Sequence, residues 1–345
     1  MSPSRIADQV GRVVGGRYRL VRPIGSGASG HVFLAEDANL SRPVAIKMLH
    51  AALAGDEGFL RRFRAEAQAA ASLNHPHVMA VIDWGEDQDG PFLVLEHLGG
   101  GSLRDLLDTG RRLSPSQATA MGLEAARGLA YAHRRGLVHR DIKPANLLFD
   151  DEGRLAVADF GLARALAEAA WTEPVGALIG TARYSSPEAA QGRSLDGRAD
   201  LYALGLVLIE AVSGTLPFTA DTTIATLMAR VGSPPPLPPE LGPLAPLAGD
   251  LTRPEPGDRP EAPAVVRALE VLSRRLPRPE PLPLPGHSSS RVDHDPTELG
   301  RRASPILLLP DARPGPGASP PGVEGAGRAP VPPAPGRGSV TPSAA

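Results

Sequence analysis

Residues 200–213, from Asp200 to Ser213, are apolar on nearly every face of a helical projection. A helix of that kind has no side fit for water, so it must lie buried in the centre of a sizeable lobe. Its apolar run, Leu201 to Val212, is interrupted by Gly205 and Glu210 and is too short to span a bilayer. Other helices are predicted around it. Residues 103–108 and 117–135 carry apolar faces at helical spacing. Val265, Leu269, Leu272 and Leu276 predict a closing helix over 262–276, with Pro263 in its first turn, where a missing N–H is tolerated. Short strands are predicted at 147–149 and 155–158, around a turn at 150–153.

The first hundred residues follow a different period. Tyr18 to Val21, Val32 to Ala35 and Val44 to Lys47 read as strands, with further strands at 78–84 and 92–96. One helix interrupts them. Phe59, Phe63, Ala67, Ala70 and Leu73 share a face over 56–73, and Asn74-His75-Pro76 ends it. The expected fold class is α+β, with a small strand-rich lobe (15–98), a larger mostly helical lobe (99–275) and a short N-terminal extension (1–14). From Pro277 onward, 17 of 69 residues are proline, and Pro277, Pro279, Pro281, Pro283 and Pro285 alternate with other residues. That composition predicts a disordered tail over 276–345 with polyproline character. Its Pro-x-x-Pro spacing at Pro332 and Pro335 makes it a candidate for partner binding, against the plainer reading of a flexible end.

Composition removes several function classes. There is no cysteine among the 345 residues, which excludes disulfides, thiolate metal sites and cysteine nucleophiles. Lys+Arg number 36 and Asp+Glu 38, a balance that argues against a dedicated nucleic-acid binder. No apolar segment resembling a signal occupies 1–14, so the expectation is a cytoplasmic protein without a membrane partner. Of the 36 basic residues only two are lysine, Lys47 and Lys143.

Chemistry concentrates in four places. Gly25-Ser26-Gly27-Ala28-Ser29-Gly30-His31-Val32 lies between two strands, and its glycines allow close backbone approach to phosphates. An ordinary Gly-rich hairpin gives the same spacing. Lys47 ends an apolar strand and either snorkels outward or turns in toward a carboxylate. Glu66, beside the apolar face of the first helix, is one candidate partner, and Arg62 on the same helix is Glu66's rival partner. His139-Arg140-Asp141-Ile142-Lys143-Pro144-Ala145-Asn146 places Asp, Lys and Asn within six residues. Asp159-Phe160-Gly161 follows eighteen residues after Asp141. Alone it reads as a turn; after the preceding segment, Asn146 and Asp159 become a pair of oxygen ligands suited to Mg²⁺ and substrate phosphates.

In this order, the glycine loop, Val44-Ala45-Ile46-Lys47, Glu66, the His139–Asn146 segment and Asp159-Phe160-Gly161 resemble the eukaryotic-type (Hanks-type) protein kinase family. Ser186-Pro187-Glu188 stands where that family has Ala-Pro-Glu, and Arg259 resembles the late arginine that pairs with its Glu. The likeness covers about residues 15–275, and Lys143-Pro144-Ala145-Asn146 resembles the serine/threonine branch in bacterial style. It implies ATP and Mg²⁺ as cofactors and protein Ser/Thr hydroxyls as acceptors. The catalytic set it implies is Asp141, Lys143, Asn146, Lys47 and Glu66, with Lys47 oriented by Glu66. The nucleotide contacts it implies are Ile24, Gly25, Ser26, Gly27, Ala28, Ser29, Gly30, His31, Val32, Ala45, Lys47, Glu96, Leu98 and Leu148, with Leu95 at the back. Asn146 and Asp159 are the implied metal ligands, and Thr181 steadies Asp141 and Lys143. Arg140 before Asp141 implies control by loop phosphorylation, for which Thr172 is the candidate and Glu173 a fixed-charge rival. A catalytically silent scaffold and a small-molecule phosphotransferase are the competing classes. The Pro-rich stretch 232–246 and Gly249-Asp250 depart from the family pattern, which has a helix there.

Overall fold

The computed structural model describes residues 8–27, 30–49, 57–88, 90–160, 183–218 and 223–284. The small lobe is an antiparallel sheet of six strands. They are β1 (Val13–Val14), β2 (Tyr18–Gly27), β3 (Gly30–Asp37), β4 (Arg42–Leu49), β5 (Val81–Asp87) and β6 (Gly90–Glu96), in the order β1-β2-β3-β4-β6-β5. Its helix, α1 (Glu57–Ala71), falls within the span expected from periodicity.

β4 decides the layout of this lobe. Every residue from Val44 to Leu49 is buried, so the strand is covered on both faces. Val44, Ile46 and Met48 pack with Tyr18, Leu20, Phe33 and Phe92. Ala45 and Leu49 pack on the other side with Phe63 and Ala67 of α1 and with Ala156 and Ala158 of the large lobe. Strand alternation therefore puts Lys47 on the face turned toward α1 and the large lobe. Alternation read from sequence alone could not choose between the two faces.

The large lobe begins with a second sheet, β7 (Gly101–Ser102), β8 (Leu147–Phe149) and β9 (Leu155–Val157). Two helices, α2 (Leu103–Asp108) and α3 (Pro115–His133), each open with a capping box, Ser102 with Asp105 and Ser114 with Gln117. Such boxes satisfy two otherwise unpaired amide donors. After α4 (Pro187–Ala190) comes α5 (Gly197–Ser213), buried from Ala199 to Ser213 as its composition demands. Its C-cap, Gly214, is left-handed at φ 76°. The lobe closes with α6 (Thr223–Val231), α7 (Ala245–Leu251) and α8 (Ala262–Arg275). No described helix is long and apolar enough to cross a membrane.

Two features depart from expectation. Within the stretch expected to depart, residues 239–251 do form helix: a 3₁₀ turn at Pro239–Leu244 runs into α7, and Leu241, Leu244, Leu247, Ala248 and Leu251 are buried. Tertiary packing outweighs the local Pro and Gly content, because Gly205 lets α7 approach α5 closely. A Cβ at Gly205 would lie 2.7 Å from Thr252 Cγ2 and 2.9 Å from Leu251 Cβ. The second departure concerns the proline-rich end. Its first residues, 277–284, pack on the large lobe, with Leu284 buried at 3% exposure in the main core and Leu282 packed against it. Prolines 277, 279, 281 and 283 face solvent, so the alternation expected of an unpacked segment instead puts two leucines on the inner side. Proline has less backbone freedom to lose on docking, which suits a segment held by few contacts. The rest of the expected tail, 285–345, lies outside the described residues.

Glu188 of α4 and Arg259 form a bidentate ion pair at 2.7 and 2.8 Å, both fully buried, as the family likeness implied. Burial alone would raise the Glu188 pKa, but the hydrogen bonds and charge of Arg259 outweigh it and hold the carboxyl below its ordinary value. A depressed carboxyl contributes stability above its unfolded pKa and loses it as pH falls through the folded one. Glu188→Gln is therefore expected to lower stability at neutral pH and to flatten the acid limb of a urea-unfolding series between pH 7 and 3. Gly205→Ala is expected to cost about 1–3 kcal/mol by overpacking, read from the same unfolding curves.

Candidate active site

The site is built where β4, the α3–β8 loop and the end of β9 meet. Lys47 is buried at 4% exposure, and its Nζ donates to Asp159 Oδ2 at 2.8 Å. Asp159 follows β9 in a left-handed conformation, φ 63°, an uncommon state for a non-glycine residue. Burial pushes its carboxyl up, but the neighbouring Lys47 ammonium, with Lys143 farther off, wins and holds it below its ordinary value.

The expected pairing of Lys47 with Glu66 is not what the geometry brings together. Glu66 is half-buried on α1, and no ion pair among the described residues joins it to Lys47. A buried ammonium needs a counter-charge, and Asp159, fixed in its turn beyond β9, supplies it. The side chain of Arg62, the rival partner of Glu66, lies outside the described residues.

The catalytic-loop residues converge on one another. Lys143 Nζ donates to Asp141 Oδ2 at 2.7 Å. Asn146 Nδ2 donates to the Asp141 carbonyl at 2.7 Å and to its Oδ2 at 3.1 Å. A 3₁₀ turn over Pro144–Asn146 sets this spacing. The Ala158 N–H donates to the Asn146 carbonyl at 2.8 Å, tying the loop to the residue before Asp159. With Nδ2 used on Asp141, the carboxamide oxygen of Asn146 is the atom left for a cation. A carboxylate and a carboxamide oxygen, held by adjoining strands, fit a hard divalent ion that takes its remaining ligands from phosphate and water.

Asp200, absent from the sequence-derived site, holds this loop in place. Its carboxylate accepts the His139 N–H at 2.8 Å, the Arg140 N–H at 2.7 Å and His133 Nε2 at 2.7 Å, at 1% exposure. Arg140 adopts φ 68° between these contacts. His139 is fully buried; its Nε2 meets the Ala158 carbonyl at 2.7 Å and its Nδ1 accepts the Asp141 N–H at 3.2 Å. Those two bonds fix the Nε2-protonated neutral tautomer. Phe160 stacks edge-on against His139 with centroids 4.6 Å apart. The signal for Asp200 was a carboxylate in the first turn of an otherwise apolar helix, which requires buried partners.

The nucleotide-facing set is brought together in part. Ala45, Leu95 and Leu98 share one buried cluster, against which Val32 and Leu148 pack. Ile24 stands 39% exposed, outside it. The Glu96 N–H donates to the Ala80 carbonyl at 2.9 Å, and its carboxylate pairs with Arg154 at 2.8 Å. Any base contact from Glu96 therefore falls to its carbonyl. In the glycine loop, Gly25, Ser26 and Gly27 pair with Val32, His31 and Gly30 across β2 and β3. Gly30 admits no other residue, since a Cβ there would lie 1.9 Å from the Met48 carbonyl oxygen. Ala28, Ser29, Gly161, Thr172, Glu173 and Thr181 lie outside the described residues.

Comparison with known proteins agrees with this geometry. A protein-family profile for the protein kinase domain matches residues 18–234. The probable serine/threonine-protein kinase SCO3848 of Streptomyces coelicolor is 44% identical over 232 residues, 66% of this chain and 34% of that protein. Serine/threonine-protein kinase PknB of Mycobacterium tuberculosis is 36% identical over 338 residues, 87% of this chain and 51% of that protein. The chain thus spans between a third and about half of the length of these relatives. The crystal structure of a cysteine-to-alanine mutant of the Mycobacterium tuberculosis PknI kinase domain aligns with a TM-score of 0.59 at 30% identity, covering 76% of this chain and 97% of that one. The two lobes, the converged loop and these matches place the chain in the eukaryotic-type serine/threonine protein kinase family, with bacterial kinases as its relatives.

Proposed function

We propose that the chain transfers the γ-phosphate of ATP to Ser and Thr hydroxyls of proteins. The observation that carries this is the set of linked contacts Lys47–Asp159, Lys143–Asp141 and Asn146–Asp141, drawn from three separate elements. Phosphoryl transfer has a loose transition state, so positioning and charge neutralisation do most of the catalytic work. Asp141 accepts or orients the proton of the acceptor hydroxyl. Lys143, already on Asp141, places positive charge beside the transferring group. Lys47, on the inner face of β4, meets the α- and β-phosphates. The glycine loop covers the phosphates with backbone N–H groups. Asn146 and Asp159 would hold Mg²⁺, which supplies charge neutralisation at the phosphate oxygens.

Autophosphorylation at Thr172 is part of this proposal. Its support is the arginine, Arg140, immediately before Asp141, a side chain suited to pairing with a phosphate. Substrate identity is proposed only as far as chemistry allows: proteins presenting Ser or Thr, with the proline-rich tail as a candidate partner-binding segment.

Asp141→Asn is expected to lower transfer from labelled ATP to a generic protein substrate by about 10²–10⁴-fold while leaving nucleotide binding intact. Lys47→Arg is expected to lose at least about tenfold, because a planar fork cannot replace a compact ammonium there. Mass spectrometry of wild type against Asp141→Asn should find phosphate on Thr172 only in the former. Wild type inactive on every protein tested, but able to bind nucleotide, would favour a scaffold instead.

A further inference from the structure

We propose that residues 277–284 form a strap in which Leu284 is a positioning residue for the nucleotide site. The inference rests on the kinase reading above. The strap leaves α8, meets the first turn of α3 and ends against the connection between the lobes. Its anchors are few and specific. Gln117 Nε2 donates to the Glu280 carbonyl at 3.1 Å. The Leu284 N–H donates to the Leu282 carbonyl at 2.9 Å, a tight turn that drives Leu284 inward.

What Leu284 reaches is the base of the interlobe connection. A Cβ at Gly100 would lie 3.0 Å from Leu284 Cδ1, 2.5 Å from the Asp150 carbonyl oxygen and 2.9 Å from that of Phe149. Gly100 is thus closed in by Leu284 and by the end of β8. The Gly100 N–H donates to the Phe149 carbonyl at 2.8 Å, and Gly101 and Ser102 pair with Phe149 and Leu148. The same short stretch carries two assigned base contacts: Leu98 stands two residues before Gly100, and Leu148 lies on the paired strand. Asn146 immediately precedes β8. Leu284, packed close to Gly100, therefore holds the junction at which the adenine edge, the adenine floor and a metal ligand meet. A close-packed interior transmits such contacts with little slack.

The test uses the full-length protein and a fluorescent ADP analogue with Mg²⁺. Leu284→Ser is expected to weaken nucleotide binding about fivefold, since small misplacements of binding groups cost heavily. The KM for the protein substrate should stay unchanged, and Leu284→Met should restore affinity. Leu269→Ala, buried on α8, serves as control: it should lower thermal stability without altering nucleotide affinity. Leu284→Ser with affinity within about twofold of wild type but lowered stability would overturn the proposal and leave the strap a purely structural edge. Should Leu284→Ser fail to fold, hydrogen exchange of the 99–102 amides in Leu284→Val decides: faster exchange there supports the strap's role, and unchanged exchange overturns it. A wild-type chain that bound no nucleotide at all would instead refute the kinase reading.

Discussion

The carboxylate of Asp200 is the point where the buried core of the large lobe and the chemistry of the cleft are joined. A buried carboxylate costs several kcal/mol unless hydrogen-bonded and neutralised. Here it receives two consecutive backbone N–H groups and a histidine ring. It also sits in the first turn of α5, where the helix dipole favours negative charge. The rest of the loop follows from that grip. His139 and Arg140 must present adjacent amides to one carboxylate, Arg140 takes up a left-handed backbone to do so, and Asp141 emerges beyond it toward Lys143 and Asn146. The apolar helix that sets the fold is therefore also the support on which the reactive loop rests.

Element type was legible wherever one period dominated. The helices over 103–108 and 262–275 and the strands on either side of the 150–153 turn fell within a residue or two of expectation, because each buries one clear face. The family motifs were legible as well, since their spacing survives without tertiary knowledge. What could not be read was anything set by a neighbour from far along the chain. Helix α7 forms despite Pro and Gly because α5 offers Gly205 as a seat. The strap packs although its composition signals disorder: proline content measures how little a segment gains by collapsing on itself, not whether two leucines find a groove elsewhere. The choice of Asp159 over Glu66 as the partner of Lys47 depends on where β9 delivers its next residue, and the left-handed states of Arg140 and Asp159 carry no local sequence mark.

Coupling between the lobes is likewise non-local. Met79 donates to the Val157 carbonyl and Val157 to the His77 carbonyl, at 3.0 and 3.1 Å. These bonds stitch the segment before β5 onto β9, two residues from Asp159. Gly128 of α3 allows it, since a Cβ there would lie 2.3 Å from the His77 carbonyl oxygen. β4 pairs with β6 and β6 with β5, so Lys47 and Asp159 belong to one connected frame, and their ion pair joins two parts of it.

The uneven use of arginine and lysine fits the same physical account. Arg259 shows what a buried guanidinium demands in this chain: both oxygens of Glu188 and the carbonyls of Arg253, Pro254 and Arg198. That is a bond for each of its five N–H groups, in a plane. Lys47, equally enclosed, has one carboxylate oxygen at 2.8 Å, and Lys143 likewise has one. A guanidinium at the buried Lys47 position would bring donors with no protein acceptor beside them, and each unpaired buried donor costs about 1–3 kcal/mol. A compact ammonium can instead be shared between a carboxylate and an incoming phosphate by small rotations of its stem. At Arg259 a fixed fork is matched on every prong, whereas Lys47 and Lys143 each hold a single carboxylate oxygen.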